Sequence, residues 1–190
     1  HLGSDPILCA ANVITSMQQI VSRYTDPLDS LVVSLTQMHG GTTHNIIPSS
    51  VEITGTIRFL QDSTGEMAKR RVKEIAESIA IAHNCSAEVT LKHGYPVTRN
   101  DKHAVAQFFE IAEQVLPKEH VTEFPAPVMG GEDFSYYCKE VPSCFFMLGL
   151  LPEGQEQMPS LHQPDFDFND DVIARGIKMF CELALRYRGS

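Results

Sequence analysis

From residue 51 to residue 59 the chain alternates without a slip. Val51, Ile53, Ile57 and Phe59 are apolar, while Glu52, Thr54, Thr56 and Arg58 are polar. A period of two puts every apolar side chain on one face of a strand, so this segment must find cover on that face and water on the other. The flanking sequence supplies the cover. After Asp5-Pro6, which suits a helix start, Ile7, Ala10, Ile14, Met17 and Val21 recur at helical spacing to a predicted end near Arg23. After Ser63-Thr64-x-Glu66, which has the form of a capping box, Met67, Val72, Ile75, Ile79 and Ala82 do the same, and Asn84 caps the end. A β-branched apolar run, Leu31 to Met38, stops at Gly40-Gly41 and reads as a second strand. Ala87, Val89 and Leu91 alternate with Glu88, Thr90 and Lys92 as a third. The order α-β-β-α-β is a ferredoxin-like unit lacking its first strand. Such a sheet has an unpaired edge, and the missing strand is expected upstream of His1.

Tyr95-Pro96 interrupts this pattern and sets a boundary, giving regions 1–96 and 97–190. In the second region Ala104, Phe108, Ile111 and Val115 trace a helix ending before Pro117. Val121 to Phe124 is a short strand candidate, and a short helix from Glu132 to Lys139 precedes an apolar strand, Cys144 to Leu148. A loop from Leu151 to Asp167 leads to a last helix from about Asp170 to Arg188, with Ile173, Ile177, Phe180 and Ala184 on one face. The fold class is α/β (α+β), with too few strands in the second region for a complete sheet.

Composition removes several functions. A net charge of −9 and a pI near 5.3 argue against nucleic acid or an anionic membrane as the main partner. No apolar run approaches the roughly 18 residues of a membrane span. The five cysteines are odd in number and form no C-x-x-C pair, which fits reduced thiols in a cytoplasmic setting. No secretory signal pattern is present.

Three places carry candidate chemistry. His162 lies on a Pro-bounded loop just before a helix start, and is either a surface histidine or a metal ligand, with Glu132, Asp133 and Asp165 as possible companions or plain helix-start carboxylates. Asn45, in the connection between the first two strands, and Arg58, on the polar face of its strand, are either solvated residues or a carboxylate clamp, since guanidinium and amide together fix both charge and orientation. Gly130-Gly131 is either a simple turn or a backbone that a ligand can approach closely. The remaining histidines show no metal-ligand spacing, and Ser135 and the cysteines lack a neighbouring base.

These pieces, in order, resemble the M20-type metallopeptidases, in the branch of N-acyl-amino-acid amidohydrolases, hippurate hydrolases and auxin-conjugate hydrolases. The matching blocks are His1-Leu2-Gly3-Ser4-Asp5-Pro6, His39-Gly40-Gly41 with Asn45-Ile46-Ile47-Pro48, and Gly55-Thr56-Ile57-Arg58. Met129-Gly130-Gly131-Glu132-Asp133-Phe134 and Leu161-His162-Gln163-Pro164 follow. The resemblance implies a lid and dimerisation domain (1–96) followed by the C-terminal part of a zinc-peptidase-like catalytic domain (97–190). It implies that His162 is a metal ligand, that Asn45 and Arg58 bind the substrate carboxylate or transition state, and that Gly130 and Gly131 line the pocket. The complete enzyme is expected to hold two zinc (or manganese or cobalt) ions, to form a homodimer through the lid, and to hydrolyse an N-acyl amino acid or dipeptide-like substrate by metal-activated water. The family's His-Ala-Cys-Gly-His-Asp block and Glu-Glu pair do not occur in these residues. The chain is therefore expected to be a C-terminal half that is inactive alone, with the general base upstream. The competing expectation is a non-catalytic dimerisation or small-molecule-binding module.

Overall fold

The structure, a computed structural model, describes residues 1–189. It is a mixed α and β chain that separates into two compact units. One is His1–Val97 with Met129–Gly131, and the other is Thr98–Val128 with Glu132 onward.

The first unit starts with α1 (Pro6–Tyr24), whose N-cap is Asp5. Asp5 Oδ1 accepts from the backbone N–H of Ile7 at 2.9 Å and of Leu8 at 3.1 Å, satisfying two donors that the first turn leaves open. The buried face of α1 is Cys9, Ala10, Val13, Met17 and Ile20, whereas Ile7 and Val21 are exposed. The face read from the sequence is thus rotated by about one residue. Apolar residues flank both sides of the stripe, and packing selects the side with the better neighbours.

Strands β1 (Leu31–Gly40) and β2 (Val51–Phe59) form an antiparallel pair, in register from Leu31 opposite Phe59 to Gly40 opposite Val51. The ladder slips between Leu35 and Gln37, a bulge opposite Gly55. A Cβ on Gly55 would run into the Ser34 carbonyl, so the bulge closes only over glycine. Alternation in β2 holds as the sequence dictates. Val51, Ile53, Ile57 and Phe59 turn inward, and Glu52, Thr54, Thr56 and Arg58 turn to solvent.

Helix α2 (Asp62–Ala82) covers the same face. Its capping box is not used. The N-cap is Gln61 with no side-chain bond to the turn, while the Thr64 hydroxyl donates to Asp29 and Glu66 pairs with Lys69 at 2.7 Å. Its C-terminus closes as the sequence indicates. Asn84 takes a left-handed φ of 51°, its N–H reaches Ile81 O at 3.1 Å, and the Cys85 N–H reaches Ala80 O at 2.8 Å. These two bonds make a Schellman closure. Ile20 and Ala68, both fully buried, lie in the shared core of α1, α2 and the sheet.

The third strand is a correction. Residues 85–91 join no ladder, and the described sheet has two strands, β1 and β2. Yet the segment keeps a strand's habit. Cys85, Ala87 and Val89 face the core, and Ser86, Glu88 and Thr90 face water. The alternation is real; what the segment lacks is a strand beside it.

In the second unit α3 (Lys102–Val115) is capped by Asp101, which accepts from the N–H of His103 and Ala104 at 2.9 Å. The helix expected from Glu132 to Lys139 is a 3-10 turn, Asp133–Tyr136, running into one α-turn, α4 (Tyr137–Glu140). The strands expected at 121–124 and 144–148 are absent. In place of a ladder, Asn100 brackets Phe145, donating to its carbonyl at 2.9 Å and accepting from its N–H at 2.8 Å. The last helix is a 3-10 turn, Asp170–Val172, followed by α5 (Ile173–Arg186). Met179 of α5 is buried against Ile111 and Ala112 of α3, with Phe108, Phe146 and Leu183 around them. The face read from the sequence is again rotated by one residue, since Gly176 and Met179 are buried while Ile173, Ile177 and Phe180 are exposed.

Candidate functional site

Arg58 owes its position to parity. It occupies an even position in β2, so its side chain leaves the sheet on the solvent face, opposite Val32 of β1. There its Nη1 donates to the carbonyl of Met129 at 3.0 Å. The guanidinium has five N–H donors in a fixed fork, so one bond to a carbonyl orients the group and leaves the rest of the fork for a carboxylate. Met129–Gly131 belongs to the same compact unit as β2, although the residues on either side do not. The structure therefore brings Arg58 together with the Gly130-Gly131 segment, two of the places that the sequence singled out separately.

The two glycines differ in their surroundings. A Cβ on Gly130 would meet open space, whereas one on Gly131 would come to 3.1 Å from Cδ2 of Tyr95. The sequence reading used Tyr95-Pro96 only as a boundary and missed this ring. Its signal was the aromatic itself, placed just before a proline that restricts its backbone.

Asn45 stays apart from this cluster. It is exposed in the loop between β1 and β2, and its Oδ1 accepts from the Thr43 hydroxyl at 2.8 Å. The pairing of Asn45 with Arg58 is not seen as a contact in this structure.

His162 lies in the second unit, on an exposed turn closed by the Gln163 N–H to Ser160 O at 3.1 Å and by the Ser160 N–H to Gln163 Oε1 at 2.6 Å. Its φ is 70°, a left-handed backbone that a non-glycine residue rarely holds. The turn lifts the imidazole toward solvent. Among the described residues no group of three or more His, Cys, Asp or Glu side chains is arranged to hold a metal ion. A metal needs three or four protein ligands. The donors present thus amount to one candidate ligand and do not fit a complete metal site. Glu132 is committed locally, with Oε1 accepting from the Phe134 N–H at 3.3 Å. Asp165 and Asp170 line an open pocket of about 400 Å³ beside Phe168 and Met158.

Two further groups have perturbed surroundings. Burial, with the Cys85 thiol close by, pushes the Cys9 thiol above its ordinary range, and burial does the same to Cys144 near Cys138. Ser135 is fully buried, and its hydroxyl has no hydrogen-bond partner among the described residues.

Comparison with known proteins sets this geometry in context. The chain is 38% identical over 187 residues to an IAA-amino acid hydrolase, ILR1-like 2, of Arabidopsis thaliana, covering 96% of this chain and 42% of that protein. It is 34% identical over 179 residues to an N-acetyldiaminopimelate deacetylase of Halalkalibacterium halodurans, covering 94% of this chain and 46% of the relative. The fold superposes on a dinuclear metal binding peptidase of the M20 family from Bacillus subtilis with a TM-score of 0.78 and 26% identity, over 96% of this chain and 46% of that one. The chain spans about half the length of the curated relatives it matches. Residues 7–186 match Peptidase family M20/M25/M40 from the middle of the first turn of α1 to the end of α5, and the chain belongs to that family.

Proposed function

We propose that these residues form the substrate-orienting part of an amidohydrolase that cleaves the amide bond of an N-acyl amino acid or dipeptide-like substrate. The observation that carries this reading is the Arg58 contact with Met129, which sets a guanidinium beside a glycine pair whose first member faces open space. Arg58 binds the substrate carboxylate, Gly130 and Gly131 line the pocket, and Asn45 adds a donor when its loop closes. The named activities of the relatives, a hydrolase of an IAA-amino acid conjugate and an N-acetyl deacetylase, support the same bond type.

His162 is proposed as one metal ligand of the complete enzyme, which would hold two divalent ions, zinc or else manganese or cobalt. The donor set among the described residues is incomplete, so the hydrolytic step is assigned to the complete enzyme and not to this chain alone. Region 1–96, read as a ferredoxin-like lid, is proposed to carry a homodimer contact, and a cytoplasmic location is proposed from the odd, unpaired set of cysteines.

The test is calorimetric titration of the 190-residue chain with an N-acetyl amino acid and with the corresponding amino-acid amide, which lacks the carboxylate. We expect weak binding of the acid, loss of about tenfold or more in affinity on Arg58→Ala because a charge-assisted bond is removed, and no hydrolysis with added zinc. Equal affinity for acid and amide would refute the carboxylate role, and metal-dependent turnover by this chain would refute its inactivity.

A further inference from the structure

We infer that Tyr95 is a positioning residue for the Gly130-Gly131 backbone, holding one end of the segment whose other end is held by Arg58. Three observations meet here. The Arg58 guanidinium fixes the Met129 carbonyl at 3.0 Å. Two residues later, the Tyr95 ring lies so close to Gly131 that a Cβ there would sit 3.1 Å from Cδ2, tighter than an ordinary van der Waals contact. Finally, Met129–Gly131 groups with the first unit although the chain on both sides groups with the second. A stretch of this kind has no helix or ladder of its own to fix its dihedrals. Glycine doubles the problem, since each Gly surrenders more backbone freedom on ordering than any other residue. Something outside the segment must therefore order it, and two contacts placed to do so come from β2 and from residue 95.

The sequence also explains why Tyr95 is suited to the task. Its successor is Pro96, which confines the Tyr95 backbone to extended conformations and so limits the arc the ring can sweep. The ring remains half open to water, at 56% relative exposure, so it does not serve as core. What it does is crowd position 131, where a Cβ would force the ring to shift by a few tenths of an ångström. This deepens the proposed function and rests on it only for its consequence: the pocket floor is shaped by residue 95 as well as by the glycines.

15N relaxation of the labelled 190-residue chain tests the inference without recourse to catalysis, since order parameters at Gly130 and Gly131 report backbone ordering whether or not an amide is hydrogen-bonded. They are compared in the wild type, Tyr95→Phe and Tyr95→Ala, with Ile20 and Ala68 as a check on the fold. We expect Tyr95→Ala to drop the two glycines from the range of ordered backbone, about 0.85, to that of flexible backbone, below about 0.6, with the core residues unmoved. Tyr95→Phe keeps the ring and should hold the wild-type values. Unchanged order parameters in Tyr95→Ala overturn the inference, and so does a Phe variant as mobile as Ala. Where Tyr95→Ala disturbs the core amides, Gly131→Ala decides: the added methyl must shift the Tyr95 ring resonances, and unshifted resonances overturn the contact. Failure of ligand binding with these order parameters as expected would sink the carboxylate-binding reading and leave the positioning role standing.

Discussion

His162 combines a demanding backbone with an ordinary setting. Its φ of 70° lies in a region that glycine occupies freely and that costs other residues of order 1 kcal/mol. If stability alone governed the position, glycine would serve better. We expect His162→Gly to leave the melting temperature of this chain unchanged or slightly raised, while lowering metal content at least ~10-fold in the complete enzyme. A clear fall in melting temperature on this substitution would make the residue structural. Cys9 poses the opposite case, a side chain whose packing sets its chemistry. Burial raises its pKa in the folded chain, so the folded state holds the proton more tightly than the unfolded one. Its contribution to stability is therefore complete below the ordinary thiol pKa and is lost as pH climbs through the raised one. Urea midpoints measured from pH 7 to 10 should fall, with a slope that Cys9→Ala makes shallower. Exposed Cys181 should alkylate first at pH 8.

At the scale of elements, the sequence spoke clearly where an element settles its own needs and poorly where a neighbour decides. Strand β2, the start of α1 and the C-terminus of α2 were legible because a period of two, an Asp at an N-cap and an Asn in a left-handed turn act within a few residues. The buried face of α5 was not. Apolar residues occupy two sides of that helix, and only contact with α3 picks Met179 and leaves Ile177 outside. The expected capping box of α2 failed for a related reason, since Thr64 found Asp29 and Glu66 found Lys69. Residues 85–91 are the sharpest instance: correct in pattern, unpaired in fact. Beyond the Cys85 N–H, which reaches Ala80 O, they join no ladder among the described residues, so the amides of 86–91 should exchange within the time that β1 and β2 amides stay protected. Protection of Ala87 and Val89 equal to that of Ile53 would mean that a strand lies against them after all. Of the candidate site, Arg58 and the glycine pair were legible as residue types. The contact between Arg58 and Met129, and the part played by Tyr95, needed the chain to be folded.

For the molecule as a whole, family membership across residues 7–186 sits beside a span of about half of each relative. An incomplete donor set and a stripe of exposed Ile173, Ile177 and Phe180 agree with that span. The unpartnered flank of β2 also bears on how the material keeps. Among the described residues the outward-facing N–H and C=O groups of this nine-residue strand are unpaired by any ladder and offer a template on which another molecule can lay down a strand. At pH 7 a net charge of −9 holds copies apart, whereas near the pI of 5.3 that repulsion vanishes. We expect concentrated samples stored near pH 5.3 to turn cloudy and to gain thioflavin fluorescence over days, while samples at pH 8 in low salt stay clear. A lysine placed at Thr54, on the outer face of the strand, should lengthen shelf life, because charged edges discourage strand addition.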